Sequence, residues 1–433
     1  MDLLELPIAN NRRVAPVIWA SVIGTTIEWY DFLVFGTAAA LVLNKLFFPN
    51  FDPVAGTLAA FGSYAVGFVS RPLGGAIFGH FGDRLGRRSM LVATMLIMGV
   101  GTFLIGCLPT YAQIGVWAPV LLITLRFLQG IGIGGEWGGA VLMVIEHAPP
   151  RRRGLYGSLV QLGFPLGIAG SVSLFRLASM MGDAEFLAWG WRLPFLASAI
   201  LVVIGLFVRL RLTETPLFRL LQGQAGLVAS PVKQAVIIEW PSFLIAVGLK
   251  LSEVGWVYIL TVFAVSYATG RLGLDRGQVL NAVIGGALLE LITLPAFGWL
   301  SDRVGRRPVF LIGTIISILA AFPVFWLLDT RDMVVITLTL TVAMSLTHAM
   351  MFGPEAAFLP ELFGTQMRYS GASLGCQVSA ALSGGFSPII ATALLAWTGG
   401  QIWSVSLMMV TLGLVTLISV AAARETAHEI LRS

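Results

Sequence analysis

The side chains of this sequence best placed to do chemistry are ionisable groups standing inside apolar stretches. Glu28 and Asp31 lie three residues apart in the first stretch, Arg71 and Arg126 in two later ones, and Glu136 stands among Gly130, Gly132, Gly134, Gly135, Gly138 and Gly139. Further on, Lys250 and Glu253 are again three apart, Glu290 is isolated, and His348 precedes Glu355 by seven residues. A charge at the centre of a membrane span costs about 2.5–3.5 kcal/mol on insertion scales, so such groups persist where they are paired, hydrated or used. Residues three apart share a helix face. At a rise of about 1.5 Å per residue, Asp31 falls roughly 20 Å into its span, and Arg126 reaches a similar depth.

A carboxylate facing an arginine is a proton switch: the ion pair favours the ionised acid, and separating the partners or excluding water favours the protonated one. Asp31 opposite Arg126 suits that role, with Glu28 and Glu136 as alternatives and a purely structural ion pair as the bland reading. Arg126 also has the planar fork that grips a carboxylate bidentately. Lys250 offers a second cation at matching depth unless a bridge to Glu253 occupies it, and Arg71 a third unless a neighbouring helix supplies an acid. Gln161, before Gly163 and Pro165, and Gln377, before Gly384, Gly385 and Pro388, set amides beside kinked stretches suited to hydroxyl or carboxylate ligands. Trp29, Tyr30, Trp256 and Tyr258 are candidates for lining the same cavity, against the commoner packing and interfacial roles of aromatic residues. His348 and Glu355 share a helix face and suit either a relay or a satisfied polar pair, while Glu290 calls for Arg71 or a cation of its own half.

The elements that must carry these groups follow from composition. Of 433 residues 57% are hydrophobic and only 11% charged, where a soluble protein has about a quarter charged. The apolar residues come in runs of about 20, long enough for bilayer-crossing helices, whereas a β-barrel would show short alternating segments. The runs predict twelve spans, near 15–43, 54–79, 89–108, 117–145, 154–178, 189–209, 236–268, 278–299, 308–328, 333–357, 370–397 and 402–423. Most of the 27 Lys and Arg fall on the side of the termini, which places both termini in the cytoplasm. The first run lacks a small-residue cleavage pattern and is expected to stay as a span. The net charge of +5 gathers at span ends, not in a basic stretch fit for nucleic acid. Cys107 and Cys376 imply neither disulfide nor metal. The absence of a Walker A sequence, a zinc spacing or a nucleophile elbow argues against an enzyme, a cofactor or ATP-driven transport.

The chain repeats itself. Gly79-x-x-x-Asp83-Arg84-x-Gly86-Arg87-Arg88 recurs as Gly298-x-x-x-Asp302-Arg303-x-Gly305-Arg306-Arg307, each after the second span of its half. The same offset pairs Asp31 with Lys250, Arg71 with Glu290 and Glu136 with Glu355; after a four-residue slip Glu146 matches Glu361. These correspondences define an N-terminal six-helix bundle (1–209), a cytoplasmic central loop (210–235) and a C-terminal six-helix bundle (236–433). Such duplicated halves commonly enclose a substrate site at mid-membrane. Asp83 and Asp302 suit a positively polarised helix N-terminus, while Arg87 and Arg306 suit pairing with Glu146 and Glu361, with Arg84, Arg88 and Arg303 as further gating candidates in the same loops. A clasp built this way would hold the cytoplasmic side shut; a plain topology anchor is the alternative.

With its doubled G-x-x-x-D-R-x-G-R-R signature the sequence resembles the major facilitator superfamily. It is similar in particular to the metabolite:proton symporters of shikimate, α-ketoglutarate, citrate, and proline or betaine. The residues that carry this likeness are Glu28-Trp29-Tyr30-Asp31-Phe32, Arg71-Pro72-Leu73-Gly74-Gly75, Arg126-Phe127-Leu128-Gln129-Gly130, Gly134-Gly135-Glu136-Trp137-Gly138-Gly139, Trp189-Gly190-Trp191-Arg192-Leu193-Pro194-Phe195 and Arg368-Tyr369-Ser370-Gly371. Gly24 to Asp31 and Tyr369 to Gly375 point toward the shikimate-type branch. The resemblance implies an all-α membrane protein of two pseudo-symmetric six-helix bundles in a bacterial inner membrane. It also implies a monomer that imports a small organic acid with protons by alternating access. A zwitterion such as proline or betaine is the rival substrate, and a non-transporting metabolite receptor the rival from another class.

Overall fold

The structure, a computed structural model, describes residues 14–75, 77–78, 87–134, 141–142, 144–145, 148–211, 239–364 and 368–427. Among these described residues twelve helices carry the architecture. The first six are α1 (Ile18–Phe47), α2 (Pro53–Gly75), α3 (Arg87–Cys107), α4 (Trp117–Ile133), α5 (Pro150–Met181) and α6 (Gly190–Phe207). The second six are α7 (Trp240–Arg271), α8 (Arg276–Val304), α9 (Arg306–Leu328), α10 (Met333–Glu361), α11 (Ser370–Trp397) and α12 (Trp403–Ala422). Among the described residues ten are long and apolar enough to cross a membrane; the described apolar parts of α3 and α4 are shorter. Apolar side chains such as Ile200, Val203, Ile292, Leu319 and Ile418 face outward, while Arg126, Glu290 and His348 are buried. That inside-out distribution is what a hydrocarbon surround selects.

The two sets of six pack alike. In the first, α1 lies against α5 and α6, α3 against α4 and α6, and α2 against α4; in the second, α7 lies against α11 and α12, α9 against α10 and α12, and α8 against α10. Across the midline α5 meets α8 and α10, α2 meets α11, and α1 meets α7. Close approach at these seams needs glycine. A Cβ on Gly154 would stand 2.5 Å from the Gly298 carbonyl oxygen, and one on Gly163 2.7 Å from the backbone of α1.

Short π-helical turns interrupt several spans: Ala39–Leu43 in α1, Ile259–Phe263 at the matching place in α7, Ala343–His348 in α10 and Ala380–Gly385 in α11. Such turns change which side chains face inward below them. Asp52, Asp275 and Asp332 cap α2, α8 and α10 by accepting bonds from first-turn N–H groups. Helices α1 and α7 run beyond the expected ends near 43 and 268, where end residues such as Lys45 and Arg271 continue the backbone ladder while their heads reach toward water; α10 runs past 357 to Glu361, which is buried and held by Arg306 and Thr426.

Candidate functional site

A cavity of ≈ 20 Å³ lies between the halves, room for about one water. Glu28 and Trp29 from α1, Arg71 from α2 and Phe164 from α5 meet Lys250, Glu253, Val257 and Tyr258 from α7, Phe352 from α10, and Cys376 and Gln377 from α11. The Gln377 Oε1 atom is buried with no hydrogen-bond partner among the described residues. Arg71 lies 4.2 Å from the Phe32 ring centroid and 4.5 Å from that of Phe68, contacts that hold a desolvated guanidinium without neutralising it.

Behind Arg71 the first half buries a second arginine. Arg126 Nη1 donates to Gln129 Oε1 at 3.0 Å, and Gln129 donates on to Thr102 Oγ1 at 2.7 Å. The guanidinium lies over Phe35 at 4.2 Å, and a Cβ on Gly67 would come within 2.7 Å of Nη2. Glycine at 67 is therefore what admits the fork. Asp31 is buried nearby, and neither of its carboxylate oxygens has a hydrogen-bond partner among the described residues.

The second half joins its ionisable groups into one chain across α7, α8 and α10. Lys250 Nζ donates to Glu253 Oε2 at 3.0 Å and also to Glu355 Oε1. His348 Nε2 faces Glu253 Oε1 at 2.9 Å, and its Nδ1 faces Glu290 Oε1 at 2.5 Å. The imidazole stacks on Phe352, with ring centroids 4.8 Å apart, and packs against Phe164 of the first half. The π turn that ends at His348 and the two cross-helix carboxylates fix the ring.

Two sets of polar contacts join the halves above and below the cavity. On the face carrying the Gly298–Arg307 loop, Asp302 accepts from the N–H groups of Gly154 and Leu155, both at 2.8 Å. Arg306 reaches Asp302 at 2.7 Å and Glu361 at 3.3 Å, and Thr426 donates to Glu361 at 2.6 Å. On the opposite face Arg276 pairs with Asp183 at 3.1 Å, donates to Ser179 Oγ at 2.9 Å and lies over the Phe186 ring. Among the described residues both faces are joined across the midline around a small cavity, an occluded arrangement.

The Major Facilitator Superfamily model matches residues 21–375 and 246–430. The chain belongs to the major facilitator superfamily. This superfamily member is 44% identical over 409 residues to the shikimate transporter of Escherichia coli, covering 93% of this chain and 92% of that one. It is 41% identical to the inner membrane metabolite transport protein YhjE of the same species, covering 97% and 96%. The E. coli proline/betaine transporter is 34% identical over all of this chain and 88% of its own. Among solved structures, the proton:xylose symporter XylE superposes with a TM-score of 0.75 at 18% identity, covering 98% of both chains, a likeness of fold. The chain is a multi-pass membrane transporter of a small molecule and not an enzyme.

The superfamily fold distributes the expected site residues unevenly. Glu28, Arg71, Lys250 and Gln377 stand on the cavity wall, while Asp31, Arg126 and Gln161 are buried off it. The expected Asp31–Arg126 ion pair is absent among the described residues; the fork is held by Gln129 and aromatic faces instead. Lys250 does form the bridge to Glu253, and Glu290 takes His348 in place of Arg71. Tyr30 turns to α6 and donates to the Pro194 carbonyl oxygen at 2.6 Å. Trp256 is buried away from the cavity, since six residues from Lys250 it points about 120° off that face. Arg303 is exposed and stacks on Trp299, outside the clasp. Asp83, Arg84, Glu136 and Glu146, and the side chains of Arg87 and Arg88, lie outside the described residues. Tyr258, a candidate liner, stands on the wall together with Glu253. Sequence reasoning weighed Glu253, Glu290 and His348 as partners or a relay but did not join them to one another; their contacts come from different helices, which spacing does not relate.

Proposed function

We propose that this transporter imports a small hydroxylated organic acid, of the shikimate type, together with protons across a bacterial inner membrane by alternating access. The observation that carries the reading is the pair of cations, Arg71 from one half and Lys250 from the other, on the wall of one central cavity beside the Gln377 amide. Cations of this kind pair with a substrate carboxylate once rocking of the halves widens the cavity, and amide groups suit ring hydroxyls. The 44% identical shikimate transporter supports the same class. Buried acids supply the proton chemistry: Asp31, without a hydrogen-bond partner among the described residues, stands as a site that binds a proton in one state and releases it in another. Glu28 and Glu136 remain rivals for that role. The Asp302–Arg306–Glu361 clasp closes the cytoplasmic face and the Arg276–Asp183 contact the outer one, with both termini in the cytoplasm. Rocking of the two halves breaks one set at a time.

A second reading rests on the aromatic wall. Trp29, Phe164, Tyr258 and Phe352, with Glu28 and Glu253, could surround a quaternary ammonium, and the 34% identical relatives carry proline and betaine. Radiolabelled uptake into proteoliposomes with an inward proton gradient separates the two. Accumulation of shikimate or another hydroxy acid, abolished by an uncoupler, supports the first; accumulation of betaine or proline alone refutes it.

A further inference from the structure

The α7–α8–α10 chain of ionisable groups has a charge balance that its contacts do not close. Glu253, Glu290 and Glu355 supply three carboxylates against one ammonium, Lys250, and one imidazole, His348. All five side chains are at most 6% exposed. Each nitrogen of His348 faces a carboxylate oxygen, so the two contacts need two hydrogens, and the imidazolium form provides them. With His348 charged the chain still carries one negative charge more than positive. Among the described residues the neighbouring helices do not supply the difference. Arg71 of α2 and Glu28 of α1 face the same cavity with one charge of each sign, Tyr258 and Cys376 are the other titratable groups described on its wall, and α5 brings the Phe164 ring against the imidazole. Against α7, α9 presents Ser317 and α12 presents Thr416. An uncompensated buried charge is strongly disfavoured, and taking up a proton is the ordinary remedy.

Within this chain of groups two carboxylate oxygens are buried without a hydrogen-bond partner among the described residues, Oε2 of Glu290 and Oε2 of Glu355. We propose that the Glu290–His348–Glu253–Lys250–Glu355 chain is a proton-carrying site of the C-terminal half, which holds one proton on Glu290 or Glu355 in the occluded state and couples it to the hold on Lys250. The proposal rests on the proton-driven import argued above and adds a site separate from Asp31. Lys250 is the link, because it binds Glu355 and also stands on the cavity wall. A proton from the outer water bonds to a Glu355 oxygen, the carboxyl becomes neutral, and the ammonium, still beside Glu253, loses one of its two carboxylate partners and can turn toward a substrate carboxylate. When the inner side opens, the proton leaves to water, Glu355 regains its charge and recaptures Lys250, and the anion is displaced. No bond other than O–H is made or broken.

The test joins infrared spectroscopy with transport of radiolabelled shikimate. The detergent-purified unaltered protein should show a protonated-carboxyl C=O band at neutral pH that survives Asp31→Asn and is diminished in Glu290→Gln or Glu355→Gln. In proteoliposomes the ratio of uphill accumulation to equilibrium exchange should fall at least tenfold in the variant that loses the band. Absence of the band in the unaltered protein overturns the proposal without reference to how any variant folds. Its retention in both Gln variants, with an unchanged ratio, overturns it equally. A band that behaves as expected in a protein that accumulates none of the acids supports the proton site and removes the organic-acid reading.

Discussion

Replacing Asp302 by asparagine should unlatch the cytoplasmic face without unfolding the protein. In the occluded arrangement one carboxylate receives the N–H groups of Gly154 and Leu155 at 2.8 Å each and the Arg306 guanidinium at 2.7 Å. Asparagine keeps one acceptor, turns an amide N–H₂ toward the second donor and removes the charge. Hydrogen bonds to charged groups contribute about 1.5–3 kcal/mol each, so losing one and weakening the other costs the closed state about 2–3 kcal/mol. That shifts the closed-to-open ratio by roughly 30–150-fold. Arg306 keeps Glu361 at 3.3 Å, so no buried cation is orphaned. Cys376 reports the opening, because it is buried on the cavity wall. In a Cys107→Ser background, labelling by a membrane-impermeant maleimide in inside-out vesicles should speed up by about the same factor. A rate within about threefold of the parent's would refute the energetic argument.

Three further substitutions probe other parts of the account. Gly67→Ala puts a methyl group 2.7 Å from Arg126 Nη2; thermal stability should fall by about 1 kcal/mol or less because the fork can swing aside, while uptake drops at least tenfold in initial-rate measurements. Lys250→Gln leaves Glu253 and Glu355 without their ammonium and should cost about 3–5 kcal/mol in thermal unfolding; adding Glu355→Gln should restore much of the stability but not acid uptake. Arg276→Gln should leave the melting temperature nearly unchanged, since its partner Asp183 is exposed, yet increase labelling of Cys376 from the outer side in right-side-out vesicles.

The helical bundle was legible because hydropathy and duplication each constrain it independently. Apolar run length places the spans, and the repeated loops at Asp83 and Asp302 relate the halves. The clasp could be read in part, since Arg306 and Glu361 sit at helix ends where the chain must turn. Which acid meets which base could not be read. His348 and Glu355 share a spacing of seven, the signature of one helix face, but their partners come from α7 and α8 and differ: Glu253 and Glu290 for the first, Lys250 for the second. The π turn at Ala343–His348 adds a local twist that a regular period misses. Tyr30 shows the complementary failure. It follows two cavity residues, Glu28 and Trp29, yet its hydroxyl satisfies a carbonyl of α6, a contact between spans far apart in sequence. Arg126 found an amide and aromatic faces instead of Asp31 for a similar reason: helix depth was readable, but helix rotation was not.

The most direct test of proton-driven acid import is the external pH of a lightly buffered suspension of proteoliposomes when shikimate is added. The account predicts alkalinisation that depends on the protein and disappears with an uncoupler, and that is weakened by Asp31→Asn. Protein-dependent entry of radiolabelled acid with no alkalinisation would contradict proton coupling, and alkalinisation with betaine but with none of the acids would contradict the anion site at Arg71 and Lys250.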